Sequence, residues 1–172
     1  MTTPAEFAEE WVDLVDRENR VIGRTVRSEV RQKNLLHRGV GILCKNSRGE
    51  IYVHKRTDTK DVFPGLYDMF VGGVVASGED YVVAAQREIA EELGIVGPIL
   101  THLFDYLYWG DHNRSWVAVY SVEWDGPIRH QQSEVAWGAY FTFEELLAKL
   151  NEWTFVPDGL EIFEHYRATI RP

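Results

Sequence analysis

Cysteine is nearly absent. Cys44 is the only one among 172 residues, so no intrachain disulfide can form, which suits a reducing cytoplasm. No apolar run approaches the ~20 residues that cross a bilayer. The opening MTTPAEFAEEWVDLV is acidic and has no basic stretch ahead of an apolar one, so no signal peptide is expected. Positive charge is also scarce. Eighteen Lys and Arg against 27 Asp and Glu leave a formal net charge of −9, which argues against broad binding to nucleic acid or to an anionic membrane. A small anionic substrate remains compatible with that balance if local cations or a metal ion receive it.

What is present describes one globular unit. Hydrophobic residues make up 45% and charged residues 26%, in a chain long enough to bury a sizeable core. Residues 1–10 read as a flexible tail and residues 11–172 as a single domain. EWVDLVDRENRVIGRTVRSEV predicts a β-hairpin, and RGVGILC, KNSRGE and IYVHKR predict a second one. A loop broken by Pro64-Gly65 leads to the short strand MFVGGVV. Asp80 to Leu93 predicts a helix with Val82, Ala85, Ile89 and Leu93 on its apolar stripe, Ser77 as N-cap and Gly94 closing it. PILTHLFDYLYWG, RSWVAVYSVEW and EVAWGAYF read as three further strands. TFEELLAKL is a short helix opened by the capping-box pair Thr142 and Glu145, and a last helix runs from Asp158 to Ile170. Strands interspersed with a few helices make a mixed α/β sheet with helices packed on it.

The chemistry concentrates in GGVVASGEDYVVAAQREIAEELG, Gly72 to Gly94. Spacings of three and four residues place Glu88, Glu91 and Glu92 on one side of the helix, where like charges cost roughly 0.2–0.5 kcal/mol per pair. Clustered carboxylate oxygens suit hard cations such as Mg²⁺ or Mn²⁺. Arg87, four residues before Glu91, can orient its carboxylate. Gly72 and Gly73 carry no Cβ, so backbone can approach the same place and offer a carbonyl. For the helix alone, a solvated acidic face explains the residues equally well.

The full spacing goes further. Gly73, Glu79, Arg87-Glu88-Ile89, Glu91-Glu92 and Gly94-Ile95 together resemble the Nudix box, with no departure at a defined position over residues 73–95. The resemblance implies the Nudix fold, a mixed β-sheet sandwiched between helices. It also implies hydrolysis of a nucleoside diphosphate linked to another moiety, or of a related diphosphate, with Mg²⁺ or Mn²⁺. By that resemblance Glu88, Glu91 and Glu92 ligate metal with the carbonyl of Gly72, and Glu79 supports the box or touches an outer ion. Glu88 is the first candidate for the general base. Glu134, in QQSEVAW, is the second.

Similarity to the isopentenyl-diphosphate-isomerase-like branch extends from about Trp11 to Gly159, through WVDLVDRENRVIG, LLHRGVG and EWTFVPDGL. The isomerases' catalytic cysteine and a metal-binding histidine fall here at Gly72 and Val74. Their other histidines fall at His37, which matches, and Val30, which does not, and a catalytic glutamate falls near Ser115. Without the cysteine, isomerase chemistry is not expected. A binding module that keeps the fold without chemistry is the other alternative, but such modules lose box glutamates that this chain retains.

Cations for the substrate come from VHKRTDTK. Arg56 leads as a bidentate phosphate ligand, with Lys60 and Lys55 beside it. Phe104, Tyr106, Tyr108, Trp109 and Trp116 crowd one stretch and are candidates to stack a base, or to serve as core or as the interface of a homodimer.

Overall fold

Strand β3 (His37–Lys45) organises the sheet. Its apolar run sends Val40, Ile42 and Cys44 to one face and Leu43 to the other, as the two-residue period of a strand dictates. Residues 9–170 are described in this computed structural model. Around β3 the chain order is β1 (Trp11–Val15), β2 (Val21–Val26), α1 (Arg27–Lys33), β4 (Ile51–Arg56), β5 (Tyr67–Asp68), β6 (Val71–Val74), α2 (Tyr81–Leu93), β7 (Thr101–Trp109), β8 (Arg114–Glu123), β9 (Val135–Phe141), α3 (Phe143–Glu152) and α4 (Pro157–Ile170).

β3 pairs antiparallel with β6 and parallel with β8, and β7 extends the sheet beyond β8. β4 carries β5 and β9. Helix α2 covers one face, packing Ala84, Ala85, Ile89 and Leu93 on Val40, Ile42, Ala118 and Tyr120. α3 and α4 cover the other, packing Leu146, Ile162 and Phe163 on Leu43, Val53, Val117 and Val119. The expected mixed sheet between helices is therefore the fold, and β1 and β2 form the N-terminal hairpin.

Several local expectations need correction. The expected second hairpin exists only beside its turn, where Lys45 pairs with Ile51, because β3 and β4 then diverge to different partners. RSEV, read as the end of a strand, belongs to helix α1, which Asn34 closes in a left-handed conformation at φ 50°. The N-cap of α2 is Asp80, not Ser77. Ser77 instead donates from Oγ to Asp13 at 2.6 Å, and the Gly78 N–H donates to the same carboxylate, tying the pre-helix loop to β1. Val82 is exposed, and Ala84 takes its expected place in the core. Gly94 does close α2, at φ 68°, with its N–H donating to Ala90. The Thr142–Glu145 capping box has both of its hydrogen bonds. Residues 1–8 of the expected tail lie outside the described residues, while Glu10 is held by Arg27 through backbone and side chain.

Candidate active site

The α2 glutamates do not share one environment. Glu88 and Glu92 are 9% and 4% exposed beside the apolar stripe, whereas the Glu91 side chain is 49% exposed. All three line a cleft of about 370 Å³ with Gly72, Gly73, Arg87, Lys60 and Glu134. Gly73 is small for a local reason. A Cβ there would sit 2.5 Å from Glu88 Oε1, so the missing side chain is the room the carboxylate occupies. Gly72 is small for another, since its Cβ would collide with the Val40 carbonyl across the β3–β6 ladder.

Arg87 is the organic cation of this cleft. It donates to Glu79 from Nε at 2.9 Å and Nη2 at 3.0 Å, to Glu88 at 2.7 Å and to the Val74 carbonyl at 3.1 Å. Glu91, which it was expected to orient, is its most distant partner at 3.7 Å. Glu79 also accepts from the Ala76 N–H at 2.9 Å, so it braces the turn before the helix. Across the cleft the Lys60 ammonium pairs with Glu134, and Thr57 ties their two loops together through the Glu134 and Ser133 carbonyls.

Burial sets the electrostatics. It pushes Glu92 up to about 8, with the Glu88 charge adding to the rise and Lys60 and Arg56 opposing it. Burial raises Glu88 as well, although Arg87 pulls it back. Hydrogen bonds from Arg87 hold Glu79 below the usual carboxylate range, and burial lowers Lys60. Two buried carboxylates raised by desolvation and by neighbouring glutamates mark a place short of positive charge. Carboxylate oxygens and a nearby glycine backbone are donors that fit a hard divalent cation. As the side chains stand, Glu88 turns to Arg87 and Glu134 to Lys60. No three His, Cys, Asp or Glu groups among the described residues converge on one point.

The remaining expectations divide. Arg56 does not line the glutamate cleft; it donates to the Val62 and Phe63 carbonyls at 2.8 and 3.2 Å, organising the loop that carries Lys60. Lys55 is not brought to the cleft; its ammonium lies 5.9 Å from the Tyr67 ring centroid. None of the five aromatics lines either cavity. Trp109, for instance, is held between Arg17 and Arg114 at 4.2 and 4.4 Å.

Sequence reasoning missed a second cavity of about 120 Å³ on the other side of Gly72 to Val74. Arg27 and Arg31 of α1, Asp68, Asn113, Ser115 and Asp158 line it, together with His37. The four-residue spacing of the two arginines was the available signal, and reading RSEV as strand concealed it. His37 is pushed down to about 4 by burial and donates from Nδ1 to the Leu35 carbonyl at 2.9 Å in the matching tautomer, so it is neutral at pH 7.

The site is a carboxylate-bearing helix laid against a glycine strand, on a mixed sheet capped by helices. A family model described as NUDIX domain matches residues 35–165. Over 163 residues the chain is 45% identical to the uncharacterized Nudix hydrolase SCO1686 of Streptomyces coelicolor, covering 94% of this chain and 90% of that one. It is 41% identical over 154 residues to the uncharacterized Nudix hydrolase YfcD of Escherichia coli, covering 88% and 83%. The crystal structure of DR0079 from Deinococcus radiodurans superimposes with a TM-score of 0.79 at 28% identity, covering 94% of this chain and all of that one. The chain belongs to the Nudix family, whose hydrolases act on the acid anhydride of a diphosphate.

Proposed function

We propose that the protein hydrolyses a diphosphate joined to another moiety, using Mg²⁺ or Mn²⁺ held by Glu88, Glu91, Glu92 and the carbonyl of Gly72. The observation that carries this reading is the burial of Glu88 and Glu92 beside Gly73, in a cleft whose counter-cations among the described residues are Arg87, Lys60 and Arg27. When bound, the ion neutralises the diphosphate and makes a water molecule more acidic.

The chain's own groups do the rest. Lys60 and Arg56 receive phosphate oxygens, while Arg87 and Gly73 set the position of Glu88. Glu88 takes the proton as water oxygen bonds to phosphorus, and Glu134 is the second candidate for that role. The bridging P–O bond of the diphosphate breaks, and its electrons leave with the departing phosphate oxygen.

Within the family we place the chain in the isopentenyl-diphosphate-isomerase-like branch, as a member without isomerase chemistry. Support comes from His37, which pairs in register with Ser115 at the second cavity, while Gly72 and Val74 line that cavity without a thiol or imidazole. We place it in the cytoplasm on the strength of its single, buried cysteine. Exposed Trp11, Val21 and Ile22 on the β1–β2 hairpin support a homodimer.

The test is a hydrolysis screen over chemically different diphosphates with and without Mg²⁺ or Mn²⁺. Turnover is expected only with metal, and Glu91→Gln and Glu92→Gln should each lose at least ~100-fold, as deletion of an electrostatic stabiliser does. Near wild-type turnover in both variants would refute the metal assignment. No dimethylallyl diphosphate should form from isopentenyl diphosphate.

A further inference from the structure

Arg56 and Lys60, which line the second cavity, receive the diphosphate in the hydrolysis just proposed, but Arg31 and Ser115 have no task in it, and the cavity adjoins the glutamate cleft. The two share Arg27, Lys60 and the strand Gly72 to Val74. Its walls combine cations from three separate parts of the chain: Arg27 and Arg31 of α1, Arg56 of β4, and Lys60 from the following loop. Cations rarely gather in a buried place without an anion to receive.

Arg27 pairs with Glu10 at 3.3 Å and Lys60 with Glu134, both acids outside this cavity's walls, whereas Arg31 has no carboxylate closer than 3.8 Å among the described residues. Asp61 is shared between Arg27 at 3.5 Å and Arg31 at 3.8 Å, both long for an ion pair. Asp68 is buried and donor-poor, its Oδ1 taken by the Phe70 N–H at 3.0 Å. Asp158 accepts from Asn113 at 3.0 Å and from the Gly159 N–H at 3.0 Å. Asn113 in turn accepts from Arg31 Nη1 at 3.1 Å, so Arg31 is held in place by a chain of polar contacts instead of a direct charge. Burial and Asp158 push Asp68 up to about 7, which reduces the negative charge it presents at neutral pH, and burial raises Asp158 too.

Donors are left over. Arg27 Nε, Arg31 Nε and Ser115 Oγ are buried without a hydrogen-bond partner among the described residues, and Ser115 is only 2% exposed. A buried donor without a partner costs about 1–3 kcal/mol, so three in one cavity call for an acceptor-rich occupant.

We propose that this cavity binds an oxyanion, a phosphate or carboxylate, carried by the substrate on the moiety beyond the cleaved diphosphate. The proposal rests on the hydrolase reading for its substrate and on the cavity alone for its anion. It assigns Arg31 and Ser115 as specificity residues. The preferred substrates bear a second anionic group, and neutral leaving moieties are poorer.

Two experiments separate these parts. In the first, metal-free protein is melted in inorganic phosphate, in acetate and in sodium chloride of equal ionic strength. Phosphate or acetate should raise Tm above the chloride control in wild type and in Glu91→Gln, and the stronger of the two names the anion. Arg31→Met should weaken the effect at least tenfold in half-saturating concentration. If Arg31→Met does not fold, Arg31→Lys and Ser115→Ala take its place with a smaller expected loss. No shift above chloride in wild type, or one equal in wild type and all these variants, would overturn the site.

In the second, kcat/KM is measured on pairs of diphosphates that differ only by a terminal phosphate or carboxylate on the leaving moiety. The Arg31→Lys loss should be at least tenfold larger for the anionic member, chiefly in KM. Equal losses for both members would overturn the specificity role. Anion binding with no hydrolysis of any diphosphate would remove the hydrolase reading and leave the anion site standing.

Discussion

The two cavities that meet at Gly72 and Gly73 are furnished with opposite charge and in opposite ways. On the α2 side, three glutamates stand on a single helix, and their geometry follows from its 3.6-residue turn. On the far side, Arg31, Arg56, Ser115 and Asp158 come from α1, β4, β8 and α4, and only the assembled sheet brings them together. The spacing of the three glutamates is thus robust to small shifts of the sheet, because they move as a unit with α2. The basic cavity depends on the register of His37 with Ser115 and on the docking of two helices. One site is inherited from local structure and the other is made by tertiary structure.

The sharpest way to break this contrast is at Asp68, the acid kept inside the basic cavity. Its carboxyl rises from 3.8 when unfolded to about 7 in the fold. The folded state therefore holds the proton more tightly, and the penalty is absent below pH 3.8, grows through the interval and is complete above about 7. Relative to wild type, Asp68→Asn should gain stability as pH rises across that window, on the order of 4 kcal/mol in all at 1.36 kcal/mol per pH unit. Chemical denaturation at pH 4, 5.5 and 7.5 measures it. A difference that stays flat with pH would mean Asp68 is ionised throughout, and the cavity would lose its positive excess.

Gly73→Ala comes next. Its Cβ points at the movable end of Glu88, so the fold should survive while the carboxylate is displaced. A displacement of about 1 Å costs on the order of 100-fold in turnover. Phosphate stabilisation of the metal-free protein should persist, since the added methyl points into the other cavity. Retained turnover would separate Glu88 from the chemistry. The smallest effect is expected at Thr142→Ala, which breaks the capping box of α3 away from both cavities. It should cost about 1 kcal/mol of stability and leave kcat unchanged. A turnover defect there would tie α3 to a site that the geometry keeps apart.

The same contrast explains what could be read from the sequence. The α2 glutamates, Gly94 and the Thr142–Glu145 pair are fixed by neighbours within a few residues, and their spacing displays them directly. The strands around β3 were legible for the same reason. The divergence of β3 from β4 was not, because it is decided by β6, β8 and β9 competing for their edges, and those partners lie far along the chain. Ser77 lost the cap of α2 to Asp80 through a bond to Asp13, 64 residues earlier. Lys55 sits one residue from Arg56 on a strand, so alternation sends the two to opposite faces, and the cluster of three cations in VHKRTDTK divides on folding.

One guanidinium deserves a final consequence. Arg87 keeps Glu79, Glu88 and the Val74 carbonyl in place with charge supplied by the chain itself. Two of the carboxylates beside the helix thus have an organic counter-charge before any inorganic ion is considered. A zinc finger emptied of its ion comes apart; here the counter-charge is covalently attached and cannot be dialysed away. Under the metal reading proposed above, ion entry and departure would be reversible traffic through a finished molecule, paced by the surrounding concentration and not by the rate at which the protein can be rebuilt.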